Sequence, residues 1–167
     1  MIFDRYAALL ASETPVSLAT VIEGPNIGAK LLVETDATPT GSLGHPELDR
    51  VVARDALAEL EAARSGVRHY GPEGQTTPED LLDQPTVKVF IESHAPPPQM
   101  WLFGAVDFTA ALARVAKVLG SRVTVCDARE IFATRRRFPM DDDVTVTWPT
   151  PVCEQHGDEL GPRDAVC

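Results

Sequence analysis

The sequence predicts an α/β protein, in which a small N-terminal α+β domain precedes an incomplete Rossmann-like domain with a parallel β-α-β core. One observation is an apolar run that ends at Gly104 and is followed by a helical pattern and a second apolar run. That order is typical of the opening of a dinucleotide-binding unit. Another observation is a pair of strand-length runs around the turn signal at 24–26, which predicts an antiparallel hairpin.

A proline-rich connector separates these two patterns. The prolines at 96–98 fix φ and cannot donate to a strand ladder, so this stretch is stiff and extended. We therefore predict one domain at 1–95 and a second at 96–167.

Hydrophobic spacing predicts the elements of the first domain. Apolar residues three or four positions apart indicate helices, and alternating apolar residues indicate strands. The predicted elements are a helix at 2–12, strands at 17–22 and 29–33, a helix at 47–64, a short strand at 67–70, a helical turn at 78–82 and a strand at 86–91. A glycine-rich loop leads into the second helix.

The second domain is predicted from the same periodicities. The elements are strands at 100–103, 123–126 and 144–148, a helix at 108–119, a helical turn at 130–134 and the start of a strand at 164–167. The helix is expected to turn five apolar residues toward the sheet: Phe108, Leu112, Val115, Ala116 and Leu119. Cys126 lies on an apolar strand and is predicted to be a small core residue.

Charge and composition exclude several classes of partner. The 167 residues carry a formal net charge of -10, so we expect no nucleic acid partner. The basic run at 135–137 is followed by three aspartates and is predicted to be a solvated loop. We find neither a signal peptide pattern nor an apolar segment of the ~18 residues that a membrane span needs. Three cysteines form no disulfide framework, which fits a reducing cytoplasm.

The turn at Gly104 keeps only part of the dinucleotide fingerprint. That fingerprint needs a first glycine for the turn, a second for close approach of pyrophosphate and a third for helix packing. The corresponding positions hold Gly104, Val106 and Thr109. The branched Cβ of Val106 would project toward the phosphate. Asp107 is expected to cap the helix and to compete with a bound anion.

An acidic residue is better placed for a nucleotide. Asp127 ends the second apolar run, about twenty residues after Gly104, where a ribose-binding carboxylate is expected. Arg129 follows it. The alternative is that Asp127 and Arg129 only cap the next turn. The damaged glycine positions favour a retained scaffold whose ligand is altered or absent.

An ordered set of short stretches resembles the XdhC/CoxI family of xanthine dehydrogenase accessory proteins. The resemblance covers about residues 16–149 and rests on 18–21, 28–33, 41–49, 90–92, 96–98, 104–105, 112–114, 120–125, 127–129, 132–133 and 137–139. It implies an N-terminal domain followed by a Rossmann domain. It also implies a chaperone-like factor for maturation of a molybdenum hydroxylase, such as xanthine dehydrogenase or aerobic carbon monoxide dehydrogenase.

The resemblance further implies cofactors and partners. Members of the family bind molybdenum cofactor (molybdopterin), protect it during sulfuration by a cysteine desulfurase, and deliver it to the apo-hydroxylase. The residues expected to bind a cofactor lie in two stretches: Gly41, Ser42, Gly44, His45 and Glu47, and then Gly104, Asp107, Asp127 and Arg129. We assign no catalytic residue and no metal ligand.

Three departures from the family pattern weaken cofactor binding. Many members have a cysteine where Glu47 stands, and a carboxylate cannot act as a thiolate ligand or carry a persulfide. The family's Gly-Ala-Gly-His turn is Gly-Ala-Val-Asp at 104–107. The chain also stops where the family's Rossmann domain continues, so we expect a truncated or split member that forms a homo-oligomer or binds a partner subunit.

Two other functions stay open. A small NAD(P)-dependent oxidoreductase would use Gly104 and Asp127, but the broken turn and the lack of an evident acid or base count against it. A degenerate member without a ligand is the other alternative. Cys153 and His156 have metal-ligand chemistry but lack the paired spacing of a zinc site, so we interpret them as ordinary tail residues.

Overall fold

A computed structural model describes residues 1–71, 74 and 86–167. The chain divides into two compact units, Met1–Pro96 and Pro97–Cys167. The helical turn predicted at 78–82 lies outside the described residues. Within the described part of the chain, no helix combines the length and the apolar character needed to cross a bilayer.

Unit one is a five-stranded antiparallel sheet with a helix on each face. Its elements are α1 (Ile2–Ala11), β1 (Val16–Glu23), β2 (Lys30–Glu34), β3 (Thr40–Ser42), α2 (Pro46–Glu61), β4 (Gly66–Tyr70) and β5 (Val87–His94). The strand order is β3-β2-β1-β5-β4, with β1 paired to β2 as the predicted hairpin. Strand β3 is an addition, because three exposed residues give no hydrophobic alternation to read.

Alternation along β1 explains why both faces of this sheet are covered. Ala19 and Val21 point into the core that the sheet forms with α2. Val16 and Leu18 point to the opposite face, where α1 packs. Because successive strand residues alternate between faces, one apolar strand supplies both cores.

Unit two is a parallel sheet of Rossmann type, which confirms the predicted α/β class. Its elements are β6 (Gln99–Phe103), α3 (Asp107–Val118), β7 (Arg122–Cys126), β8 (Asp143–Thr145), α4 (Pro149–His156), a 3₁₀ turn (Gly157–Glu159) and β9 (Ala165–Val166). The strand order is β8-β7-β6-β9, and every strand pair is parallel. This order reproduces the first four strands of a dinucleotide-binding sheet.

The predicted orientation of α3 is wrong for four of its five apolar residues. The helix buries its small residues Thr109, Ala113 and Ala116 against the sheet. The larger residues form an exposed stripe: Phe108 is 76% exposed, Leu112 36%, Val115 55% and Leu119 74%. Small residues let the helix approach the sheet closely, and the hydroxyl of Thr109 fixes its rotation by donating to Gly104 O at 2.6 Å.

Candidate functional site

The turn at Gly104 joins β6 to α3 and is held by backbone and side-chain bonds. Gly104 has φ +101°, a conformation that favours glycine. Its N–H donates to Cys126 O at 2.8 Å, and Val106 N–H donates back to Gly104 O at 3.0 Å. The N–H groups of Gly104 and Val106 are therefore already satisfied within the chain.

Asp127 closes this turn from the end of β7. Its side chain is buried, and it accepts from Ala105 N–H and Arg129 N–H, each at 2.8 Å. The Arg129 guanidinium adds a bidentate contact, with Nε at 2.9 Å and Nη2 at 2.7 Å. The side-chain bond from Arg129, more than the two backbone bonds, holds the pKa of Asp127 well below its usual range. The carboxylate has about four acceptor sites, so this arrangement occupies it fully.

Arg137 clamps the other side of the turn, which the sequence did not indicate. Its Nη1 donates to Ala105 O at 2.8 Å, and its Nη2 donates to Asp107 Oδ1 at 2.9 Å. The prediction that Asp107 caps α3 is therefore wrong, because Val106 is the N-cap residue of this helix. Arg135 and Arg136 are exposed as predicted for a solvated loop, but Arg137 is half-buried.

A cavity of about 300 Å³ lies at the carboxyl ends of β6 and β7. Phe103, Arg129 and Trp148 supply its aromatic and cationic walls. This is the position at which ligands bind in open parallel sheets. Cys126 also borders it, but burial raises the pKa of its thiol, which donates to Thr147 O at 3.2 Å. Cys126 is buried, as predicted.

The glycine-rich loop of unit one is organised by a second aspartate. Asp49 accepts from Ser42 Oγ at 2.7 Å and from Leu43 N–H at 2.6 Å. Gly44 N–H then donates to Ser42 Oγ at 3.0 Å. These bonds of Asp49 could not be predicted from the sequence, because they span a loop with no periodicity.

The remaining residues of this loop face outward. His45 is the N-cap residue of α2 in an extended conformation, with φ -144°, and its carbonyl accepts from Asp49 N–H at 2.9 Å. Glu47 is exposed and pairs with Arg50 at 2.9 Å. Gly41 and Gly44 have φ +104° and +109°. The loop therefore presents a carboxylate, not a thiol, at the position of Glu47.

The predicted site residues form two groups, one in each unit. The first group, Gly41, Ser42, Gly44, His45 and Glu47, runs from β3 into the first turn of α2. The second group lies at the carboxyl ends of β6 and β7, with Gly104 and Asp107 at the entry to α3 and with Asp127 and Arg129 just after β7. Across the described residues, no cluster of three His, Cys, Asp or Glu side chains could hold a metal ion. His156 pairs with Glu159 at 2.9 Å.

Comparison with protein families assigns both units. The XdhC and CoxI family model matches residues 9–71, and the XdhC Rossmann domain model matches residues 100–166. The chain belongs to the XdhC and CoxI family. The two matches fall on the antiparallel unit and on the parallel unit, respectively, as the predicted resemblance required.

Individual relatives of this family member are distant. The uncharacterized protein YqeB of Escherichia coli K12 is 26% identical over 144 residues, which is 83% of this chain and 26% of YqeB. The chain thus spans about a quarter of that curated relative. A solved xanthine dehydrogenase structure from Bacillus halodurans is 16% identical with a TM-score of 0.43, over 98% of this chain and 72% of that one.

The donor set of this member does not fit the metal end of molybdenum cofactor. The loop of unit one offers the Glu47 carboxylate, and the cavity of unit two offers the Cys126 thiol, whose pKa burial raises. Neither the carboxylate nor the thiol is a thiolate, which is the ligand that soft metal ions prefer. Trp148 and Arg129 line this cavity, and aromatic and guanidinium groups can both stack on heterocycles, so the lining chemistry is closer to that of a site for an organic ring.

Proposed function

We propose that this chain is a cytoplasmic, chaperone-like accessory factor in the maturation of a molybdenum hydroxylase, such as xanthine dehydrogenase or aerobic carbon monoxide dehydrogenase. Its membership of the XdhC and CoxI family, carried by both units, is the observation that supports this role most directly. The factor assists sulfuration or insertion of molybdenum cofactor without catalysing turnover. Its partners are the apo-hydroxylase and a cysteine desulfurase, together with a second copy or a subunit that extends the Rossmann sheet.

The site chemistry favours binding over catalysis. Asp127 is saturated by Ala105 and Arg129, so it cannot serve as a base while the turn stays closed. The same closure argues against an NAD(P)-dependent oxidoreductase. A dinucleotide needs turn N–H groups for its pyrophosphate and a free carboxylate for its ribose, and Ala105 N–H and Asp127 already bond to each other.

The nine predicted binding residues divide by position within this proposal. Gly104, Asp127 and Arg129 border the cavity of unit two, so a flat heterocycle there would contact them directly. Asp107 braces the turn through Arg137. We assign the loop residues Gly41, Ser42, Gly44, His45 and Glu47 to a surface that contacts a partner, because Glu47 lacks the chemistry to hold a metal.

Co-expression with an apo-hydroxylase tests the proposal. We expect the chain to raise the fraction of hydroxylase that carries sulfurated cofactor, measured as activity before and after chemical resulfuration. Trp148→Ala should reduce this gain, and Arg136→Ala, which changes an exposed arginine outside the cavity, should not. A hydroxylase equally sulfurated with and without the chain would overturn the accessory role.

A titration with NADH distinguishes the enzymatic alternative. Under our proposal, nicotinamide fluorescence does not respond at micromolar concentrations, because the turn cannot receive the pyrophosphate. Micromolar binding of NADH would favour an oxidoreductase instead.

A further inference from the structure

The two faces of the parallel sheet in unit two have different chemistry. The face toward α3 is apolar, with Leu102, Val123 and Val125 in its core. The opposite face presents Trp101 together with the polar residues Gln99, Thr124, Asp143 and Thr145. Parallel sheets are normally apolar on both faces, because helices cover both. A polar face beneath a helix therefore requires a separate explanation.

Helix α4 covers this face only in part, and its His156 ring packs edge-on against Trp101 with the ring centroids 6.3 Å apart. None of its eight residues, Pro149–His156, is buried, whereas α3 buries three. The space between α4 and the sheet is a cavity of about 410 Å³, which we call the α4 cavity. Trp101 forms its floor and is 5% exposed, and its Nε1 donates to Gln99 Oε1 at 3.3 Å. The volume lies in the range of about 300–1,000 Å³ that small-molecule sites occupy.

The lining of the α4 cavity is rich in hydrogen-bond acceptors. It includes the carboxylates of Asp143 and Glu159, the hydroxyl groups of Thr124 and Thr145, and the side chain of Gln155. None of the described lining residues is a lysine or an arginine.

The two carboxylates are held in place at the rim. Asp143 accepts from Thr145 Oγ1 at 3.0 Å and from Val144 N–H at 2.9 Å. Glu159 bonds to His156 Nδ1 at 2.9 Å. Arg135 reaches Asp143 at 3.4 Å, so a cationic ligand would compete with Arg135 for this carboxylate.

We propose that the α4 cavity binds a small organic cation that carries amine or hydroxyl donors. Two oriented carboxylates attract a positive charge, and the threonine hydroxyls and glutamine amides bond its remaining polar groups. Phosphate and carboxylate ligands are disfavoured by the same charges. This site is separate from the cavity at the carboxyl ends of β6 and β7, and it does not depend on the proposed maturation role.

Fluorescence of Trp101 provides a direct assay. The chain has two tryptophans, so a Trp148→Phe variant leaves Trp101 as the sole reporter. We would titrate it with putrescine, with the neutral analogue 1,4-butanediol and with the anion succinate. We expect saturable binding of putrescine that is about tenfold tighter than that of butanediol, and no response to succinate.

Variants locate the site. Glu159→Gln and Asp143→Asn should each weaken putrescine binding about fivefold or more. Asp158→Asn changes the adjacent exposed acid outside the cavity and should leave binding within about twofold. If Asp143→Asn does not fold, Glu159→Gln decides alone. Equal responses to all three probes, no saturation by about 20 mM putrescine, or binding unchanged in Glu159→Gln would overturn the proposal.

Discussion

Each unit contains a glycine turn that enters a helix, and in each an aspartate closes the turn. Asp49 accepts from Ser42 Oγ and Leu43 N–H in unit one. Asp127 accepts from Ala105 N–H and from both the backbone and the guanidinium of Arg129 in unit two. An aspartate that accepts backbone and side-chain hydrogen bonds thus stabilises both turns that the sequence predicted to be ligand sites.

The two turns differ in burial and in the charge of their partners. Asp127 is 6% exposed and faces a cation, whereas Asp49 is half-buried and faces a hydroxyl and an amide. Buried charge-assisted bonds cost more to break than partly solvated neutral ones. We therefore expect unit two to depend on its aspartate more strongly than unit one does.

The largest expected effect is that of Asp127→Ala, which leaves Ala105 N–H and Arg129 without their acceptor. We expect a loss of about 3 kcal/mol in the free energy of unfolding of unit two. Urea unfolding followed by tryptophan fluorescence measures it, because both tryptophans, Trp101 and Trp148, lie in this unit. The control Asp158→Asn changes an exposed acid and should be within about 0.5 kcal/mol of wild type. A loss as small as the control's would mean that the turn does not rely on Asp127.

Protonation of Asp127 at low pH should also destabilise unit two, but less than Asp127→Ala does. The folded pKa of Asp127 is depressed, so its contribution is complete above the unfolded pKa of about 3.9 and is lost as pH falls toward the folded value. Tryptophan-monitored stability should therefore decline below about pH 4 in wild type and less so in Asp127→Asn. Burial raises the pKa of Asp141, which has the opposite sign, so the difference between the two proteins is the quantity to measure.

A smaller effect is expected from adding a methyl group in the loop of unit one. Gly44→Ala places a Cβ against the Asn26 side chain at a φ of +109°, and should cost about 2 kcal/mol. Gly28→Ala is a matched control, because its φ is +88° but its Cβ meets nothing within 4 Å. It should cost about 1 kcal/mol from backbone strain alone. Hydrogen exchange of unit one peptides, measured as a function of urea concentration, gives the free energy of unfolding of each variant and so distinguishes Gly44→Ala from Gly28→Ala. Equal losses would show that Asn26 moves aside.

The smallest effect is expected for Asp49→Asn. The amide keeps one acceptor for Leu43 N–H and loses part of the bond to Ser42, so the cost should be about 1 kcal/mol. The same hydrogen-exchange assay measures it, with Asp36→Asn as an exposed control. A loss as large as that of Asp127→Ala would remove the distinction between the two turns.

Most elements could be predicted from local sequence, because their periodicity is local. The first hairpin, α2 and the strands around α3 all carry clear alternation or helical spacing. The face of α3 could not be predicted this way. Hydrophobicity favoured the stripe from Phe108 to Leu119, but close packing against the sheet selected Thr109, Ala113 and Ala116. Arg137 was missed because its bonds to the turn join residues about thirty positions apart.

The family, most of the strands and helices, and the positions of the glycines and acids in the two turns could be predicted from the sequence, because these properties follow from residue type and spacing along the chain. Strand β3 and helix α4 were not predicted. Folding brings Asp127 to Ala105 and Arg129, pairs Asp107 with Arg137, and leaves a polar cavity between α4 and the sheet. A carboxylate can bind a ligand or satisfy the backbone, and which of these it does depends on groups that folding brings together from distant parts of the chain.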